Sequence, residues 1–357
     1  MEKRKIKAEI VCGSLNEHGQ KITTWVLTYP RIIHAEMMTH RVFSRNAASS
    51  RAIPALKMIA DIEADPFIPV AFQKDHKGMQ GTEYFTEDDD KIEYVDGGHY
   101  NRLVELRGDW LNARDSAVRV AKKLSKQGLT KQLVNRLLEP FQWYTAIFTS
   151  TEISNFMELR CPSYEINKMN FKSRKEATVY LESKGVDTSK MTLVDWLKIN
   201  KGQGEIHISL LAEAMWDSIN EYDYRQLKAG EWHIPFGDRF DVVRLQESIT
   251  PPNVVNINQS EIDRYQRSLN EAKIKIATAR CARVSYNNFE GKDDYEADVK
   301  LYDILKSSGH FSPFEHCARA MALHEYHTHY RTTLETEEPE YGWSGNFRGF
   351  VQLRQEL

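Results

Sequence analysis

Long hydrophobic runs are missing from this sequence. No stretch approaches the roughly 18 apolar residues that cross a bilayer, and the basic start MEKRKIKAEIVCG lacks the apolar segment of a secretion signal. Cysteine is scarce: Cys12, Cys161, Cys281 and Cys317 stand far apart in 357 residues, and none forms a C-x-x-C pair. That spacing excludes a zinc knuckle and a disulfide framework, so reduced thiols in a cytoplasm are expected. An excess of one charge is also lacking. A net charge of -3 offers no overall attraction to nucleic acid or to an anionic membrane. An anionic ligand must then be gripped by a local cluster of bases. No internal repeat and no low-complexity segment is present.

What is there suits a soluble enzyme-sized chain. A hydrophobic fraction of 41%, with 16 Tyr, 15 Phe and 7 Trp, can fill a sizeable core, and the mean hydropathy is -0.57. Residues 7–29 read as two strands around the polar turn 16–19, and Pro30 ends the second before a helix over 31–40. Residues 74–97 read as a solvated loop. Apolar residues recur at helical spacing over 100–126, and further helices are expected at 130–138 (ended by Pro140), 153–159 and 205–220. Residues 161–202 look like an insertion with small helices at 175–184 and 193–199. Pro251, Pro252 and the Asn-rich run after them mark a boundary. Beyond it, Ser260 and Asp263 have the form of a capping box, opening a helix to about Ala279. A last helix is expected over 294–305, then a tail (318–355) of strands with an acidic loop at 335–340. The whole is read as a single catalytic domain.

The densest chemistry lies in residues 39–51, Thr-His-Arg-Val-Phe-Ser-Arg-Asn-Ala-Ala-Ser-Ser-Arg. So many donors could not all be satisfied inside a core. Arginine forks and hydroxyls at a turn between helices suit phosphate groups; the plainer reading is a polar connection with surface arginines. Three further pieces stand out. One is Ala282-Arg283-Val284-Ser285 followed by Gly309-His310-Phe311-Ser312-Pro313-Phe314-Glu315-His316, where Ser312 could cap a helix with Pro313 first inside it. The second holds Asn135-Arg136 and Asn155 to Arg160. The third is Gln203-Gly204-Glu205-Ile206.

Together these pieces resemble the flavin-dependent thymidylate synthases. The signature R-H-R-x-x-S-x-N-x-x-S-x-R is matched in register by His40, Arg41, Ser44, Asn46, Ser49 and Arg51, with Thr39 replacing its first arginine. The G-H-x-[ST]-P-x-E-H element, which precedes the signature in the family, here follows it, as in a circular permutation. The resemblance covers about two thirds of the chain. It implies an α+β fold with a mostly antiparallel central sheet flanked by long helices, and a homotetramer. It also implies FAD, methylenetetrahydrofolate as one-carbon donor, NADPH as a possible reductant, and a pyrimidine deoxynucleotide as substrate.

By position, the resemblance makes Arg160 the catalytic group that stabilises the ionised pyrimidine, since a guanidinium keeps its charge and can donate two hydrogen bonds. Glu36, Ser49, Ser50, Arg51 and Arg136 fall to the nucleotide. His40, Arg41, Ser44, Asn46, Asn155, Ser285, His310 and Ser312 fall to the flavin. Departures accompany the match: Ala47 stands where the family has glutamate, Ala52 where it has tyrosine, and Glu36 where it has glutamine. A carboxylate beside a phosphate repels it. The product could then be a methyl or a hydroxymethyl group, on dUMP or dCMP, or the chain could bind nucleotide without turning it over.

Other groups have plainer readings beside sharper ones. Cys161 is read as an inert thiol before a nucleophile. His324, His327 and His329 are read as a polar strand before a metal site, which would make the protein a metal-dependent hydrolase. The tail residues Trp343, Asn346, Phe347, Arg348, Phe350 and Arg354 suit either folate stacking or an oligomer contact.

Overall fold

The computed structural model describes residues 3–77, 81–87, 89, 91–93, 99–249, 259–284, 294–332 and 338–357. The chain opens on β1 (Lys7–Asn16) and β2 (Lys21–Pro30), then α1 (His34–Met37), β3 (Ser44–Ala47) and α2 (Ala55–Ala64). A small hairpin, β4 (Lys91–Glu93) and β5 (His99–Asn101), leads into the long α3 (Arg102–Lys126). Next come α4 (Lys131–Val134), β6 (Trp143–Ser150), α5 (Ser154–Arg160), the hairpin β7 (Tyr164–Ile166) and β8 (Met169–Phe171), then α6 (Arg174–Ser183), α7 (Leu193–Ile199) and α8 (Ile206–Glu221). The last part holds β9 (Arg225–Leu227), β10 (Trp232–His233), α9 (Val242–Ile249), α10 (Gln259–Arg283), α11 (Tyr295–Ser307), β11 (Ala318–Ala320) and α12 (Leu323–Thr328). Five short strands close the chain: β12 (Tyr330–Arg331), β13 (Glu340–Tyr341), β14 (Trp343–Ser344), β15 (Phe347–Arg348) and β16 (Phe350–Gln352).

The main sheet has five strands in the order β3-β6-β2-β1-β9, antiparallel except where β9 joins β1. Successive side chains of a strand point to opposite faces, and the sequence obeys that period. Trp25, Leu27 and Tyr29 of β2, with Tyr144, Ala146 and Phe148 of β6, bury one face against α2, α3, α5 and α8. Val26 and Ile147 turn the other way and pack under α10 and α11 with Val11, Ile274, Tyr302 and Phe314. Burying a large apolar side chain contributes about 1.5–3 kcal/mol. These two faces therefore hold the fold, a sheet between two helical layers.

The mixed α+β architecture, the mostly antiparallel sheet and the long flanking helices match the sequence reading; α3 and α10 each run 25 residues. Several local expectations need correcting. The helix expected over 31–40 is a 3-10 turn followed by the single-turn α1, because Thr39 ends it: its backbone N–H and its Oγ1 both donate to the Glu36 carbonyl. The helix expected over 130–138 shortens to α4 and becomes a 3-10 stretch that contains Pro140. There the buried Asn135 side chain spends its Nδ2 on the carbonyls of Ser50 and Ile53, at 2.8 and 2.9 Å. Residues 161–202 carry both expected helices and also the β7–β8 hairpin, packed around Tyr164, Ala177 and Trp196. Ser260 of the expected cap and the boundary at Pro251 and Pro252 lie outside the described side chains. Among the described residues no helix is long and apolar enough to cross a membrane.

Burial holds three imidazoles neutral. His233 and His316 are fully enclosed and pushed down to about 3, and burial, with Arg31 adding repulsion, brings His34 to about 3 as well. Unfolded, each ring takes a proton near its ordinary value of 6.5. The unfolded chain thus binds more protons, so stability is intact above that value and is lost as pH falls toward 3. Each ring contributes a slope of about 1.4 kcal/mol per pH unit within the window. Urea unfolding free energies between about pH 7 and pH 4 should show this decline; a flat profile would show that the rings are already protonated in the fold.

Candidate active site

The site grows from the end of a short helix. Arg160 closes α5, and the chain returning at Gly204 passes so close behind it that an added Cβ would sit 3.1 Å from the Arg160 carbonyl and 2.4 Å from Ser209 Oγ. A larger residue there would have to turn the Ser209 hydroxyl aside and push the Arg160 carbonyl back by a few tenths of an ångström. Glu205 then caps α8 by accepting the backbone N–H groups of His207 and Ile208, at 2.8 and 3.2 Å. His207 accepts from the Val70 backbone N–H through Nε2, so its Nδ1 carries the proton it donates to Glu205 Oε1 at 2.5 Å.

Arg160 reaches back across 120 residues to the signature segment. Its Nε donates to His40 Nε2 at 3.2 Å and its NH1 to Glu36 Oε2 at 3.0 Å. Burial and the neighbouring Arg160 lower the His40 pKa, so the ring is neutral; accepting through Nε2, it carries its proton on Nδ1. The ring meets Phe156 edge-on at 4.9 Å. Burial raises the Glu36 carboxyl above its ordinary value despite Arg160, and the Glu205 carboxylate adds to the rise. The Arg160 and Glu36 side chains remain 22% and 37% exposed, so a ligand can reach both.

Next to this triad lies the edge strand β3, which the middle of the arginine-rich signature forms in place of the expected turn between helices. Ser44 and Asn46 point to the α10 face with Ile147 and Thr149, their partners on β6. The closing strands lock Ser44 in place. Asn346 Nδ2 donates to Val42 O and Ser44 Oγ at 3.1 and 3.0 Å, and Gln352 Nε2 donates to Ser44 Oγ at 2.9 Å and Asn346 Oδ1 at 2.8 Å. No sequence pattern marks Gln352, and Asn346 stands in the sequence only within an aromatic tail. Amides set among buried strand residues were the one available signal. Asn46, 7% exposed, keeps its Nδ2 without a partner.

The remaining candidates spread around this core. The turn holding Ser49, Ser50 and Arg51 is tied down by Asn135, the neighbour of Arg136, and by Lys131, which donates to Ala52 O at 3.2 Å. Arg51, Arg136, Arg41 and His310 are exposed. Asn155 is also exposed and lines a cleft of about 820 Å³ with Lys21, Lys172, Trp216 and Tyr224. The 3-10 turn Ser312–Glu315 packs against β3, so the Gly309–His316 element does meet the arginine-rich segment. Its cap is Phe311, and Ser312 makes no capping bond, contrary to expectation. Ser285 lies outside the described residues. Cys161 is buried with its thiol pushed up to about 12, as an inert thiol requires. His324 and His327 lie on the exposed helix α12, with His329 just past its end, where a strand was expected. Among the described residues no group of three or more ligating side chains could hold a metal.

No family model matches the chain, and no curated protein matches it. Two solved structures of a UMP/dUMP methylase PolB from Streptomyces cacaoi are distantly similar. The one bound with 5-Br dUMP has a TM-score of 0.40 at 12% identity, over 61% of this chain and 92% of that one. The one bound with 5-Br UMP has a TM-score of 0.40 at 15% identity, over 62% and 92%. Likeness at this level assigns no activity to this chain.

The seating of the tail depends on Gly349, which has φ 76° and whose added Cβ would lie 2.3 Å from Asn16 Nδ2. Gly349→Ala should cost about 1–3 kcal/mol and raise amide hydrogen exchange across residues 343–353. Unchanged exchange there would mean that Gly349 does not hold the tail on β3.

Proposed function

We propose that this protein is a flavoenzyme that transfers a one-carbon unit from methylenetetrahydrofolate to C5 of a pyrimidine deoxynucleotide, with dUMP to dTMP as the leading reaction. The contact of Arg160 with His40 and Glu36 carries this reading. It joins two separate pieces of the motif pattern around one guanidinium, where a ring anion can be stabilised. The motif resemblance supplies the choice of chemistry.

Each residue's part follows from its setting. Arg160 presents its charge to the base, and His40, neutral and accepting, fixes the guanidinium plane. Arg51 and Arg136, with Ser49 and Ser50, flank an exposed turn that suits the nucleotide phosphate. The residues present fit a flavin: the buried Asn46 Nδ2, on the edge strand β3, is a donor in want of an acceptor. Asn46, Asn155 and Ser312 would hold the flavin, which supplies hydride when bound. Ser44, whose hydroxyl already has partners, would shape that edge from behind. The chain order is read as a circular permutation, and a homotetramer, NADPH as reductant and a cytoplasmic location belong to the same proposal.

Glu36 favours a second product. Its carboxylate neutralises the guanidinium where the resembled family has an amide, a change in the site that admits a 5-hydroxymethyl product or a cytosine substrate; a nucleotide-binding protein without turnover is the reading if no product forms. The deciding experiment is a visible spectrum after incubation with FAD and desalting, followed by mass analysis of products from dUMP and dCMP with methylenetetrahydrofolate. A retained, perturbed flavin spectrum supports the proposal; a folded, colourless protein with nucleotide present overturns it. Arg160→Ala should keep FAD and lose turnover, and unchanged turnover would remove Arg160 from the mechanism. Glu36→Gln removes a repulsion from an anionic ligand, and an exposed ion pair of this kind contributes about 0.2–1 kcal/mol. Titration calorimetry should therefore show dUMP binding tighter by up to about fivefold. Weaker binding would mean that the carboxylate itself contacts the nucleotide.

A further inference from the structure

On the α10 face of the sheet, five side chains form an unbroken buried line. Ser14 Oγ lies 2.9 Å from His233 Nδ1, and Cys12 Sγ lies 3.3 Å from the same nitrogen. His233 Nε2 is 2.8 Å from Thr24 Oγ1, which is 2.7 Å from Thr149 Oγ1, which is 2.8 Å from His316 Nδ1. Ser14, His233, Thr24, Thr149 and His316 are each at most 1% exposed. One end, at Cys12 and Ser14, lines a pocket of about 240 Å³ with Arg225, Asp238 and Lys273. At the other end His316 Nε2 is buried without a partner, just past the 3-10 turn that packs against β3.

We propose that this line is a one-proton relay that couples the β3 edge of the candidate site to the Cys12–Ser14 pocket through matched tautomers of His233 and His316. Two hydroxyl oxygens 2.7 Å apart need one hydrogen between them, and each hydroxyl has only one to give. If Thr24 donates to Thr149, Thr149 must donate to His316 Nδ1. Thr24 is then left to accept from His233 Nε2–H, and both rings carry the proton on Nε2. If Thr149 donates to Thr24, every bond reverses and both rings carry it on Nδ1. Mixed states leave either two bare oxygens in contact or a buried hydroxyl hydrogen with no acceptor.

Passage between the two arrangements carries one proton from the pocket to an acceptor at His316 Nε2 and leaves no charge on the line itself. Ser14 takes a proton from water in the pocket as its own hydrogen passes to His233 Nδ1. In turn the Nε2 hydrogen passes to Thr24, that of Thr24 to Thr149, and that of Thr149 to His316 Nδ1. The His316 Nε2 proton leaves to an acceptor there, a water or a ligand oxygen or nitrogen. The reverse passage takes the proton back, so the relay acts once as acid and once as base. An acceptor at His316 Nε2 holds Ser14 as a donor to His233; a donor there frees the Ser14 hydrogen for the pocket. The β3 edge and the pocket thus report on each other.

The test is nitrogen-15 NMR of the histidine rings in the full chain. Wild type and Thr149→Ser should show the same protonated nitrogen in His233 and His316. Thr149→Val, confirmed folded by circular dichroism, should leave His316 as a tautomer mixture while His233 keeps one form. Ser14→Ala removes only the outer end, so any tautomer change it causes must appear in both rings together. Opposite tautomers in the wild type, an unmixed His316 in Thr149→Val, or a change confined to His233 in Ser14→Ala would each overturn the relay. None of these readouts involves flavin or nucleotide, so the relay and the proposed reaction fail or stand separately.

Discussion

The pairing of β3 with β6 is the constraint on which the rest of the site depends. Its register sets Ser44 opposite Thr149 and Asn46 opposite Ile147. A slip of one residue would turn Ser44 and Asn46 onto the other face, away from Asn346, Gln352 and the 3-10 turn. An edge strand exposes unpaired backbone groups, and here the closing strands and the Ser312–Glu315 turn cover it. Two ends of the chain thereby meet. Ser44 and Gln352, 308 residues apart, share a hydrogen bond.

Around that edge the polar groups divide by partner. Arg160 is satisfied by one neutral ring and one carboxylate, so its charge is compensated yet reachable. Asp298, in contrast, is almost fully buried between Arg283 and Arg280, at 2.6 and 3.3 Å. A buried charge of that kind requires pairing; it ties α10 to α11 and brings Arg283 of the matched Ala-Arg-Val-Ser run into a structural task. The same type of residue is thus left reachable in one place and committed to helix packing in another, and the difference is exposure.

Much of the architecture was legible because it follows from local patterns. The β-branched and aromatic residues along 22–29 set β2, and helical periodicity set α3, α8 and α11 to within two residues at each end. The misread segments share a cause: tertiary partners override local preference. Thr39 turns the chain so that His40 meets Arg160, and Asn135 bends α4 into a 3-10 stretch to hold the Ser49–Arg51 turn. Residues 324–329 alternate in a way that suits a strand, yet Glu325 accepts from the Ala322 backbone N–H and starts a helix.

The sequence by itself determined the residue types available, the two-faced strands and the motif pattern around His40, Ser44 and Asn46, since these depend on neighbours a few positions away. Only the tertiary structure decided which of those side chains are free. It showed Ser44 spent on the tail, Glu36 spent on Arg160, Asn46 left with an open donor, and two distant histidines joined through Thr24 and Thr149. Hydrogen-bond satisfaction is settled by distances between residues far apart in the chain, and no spacing along a sequence encodes them.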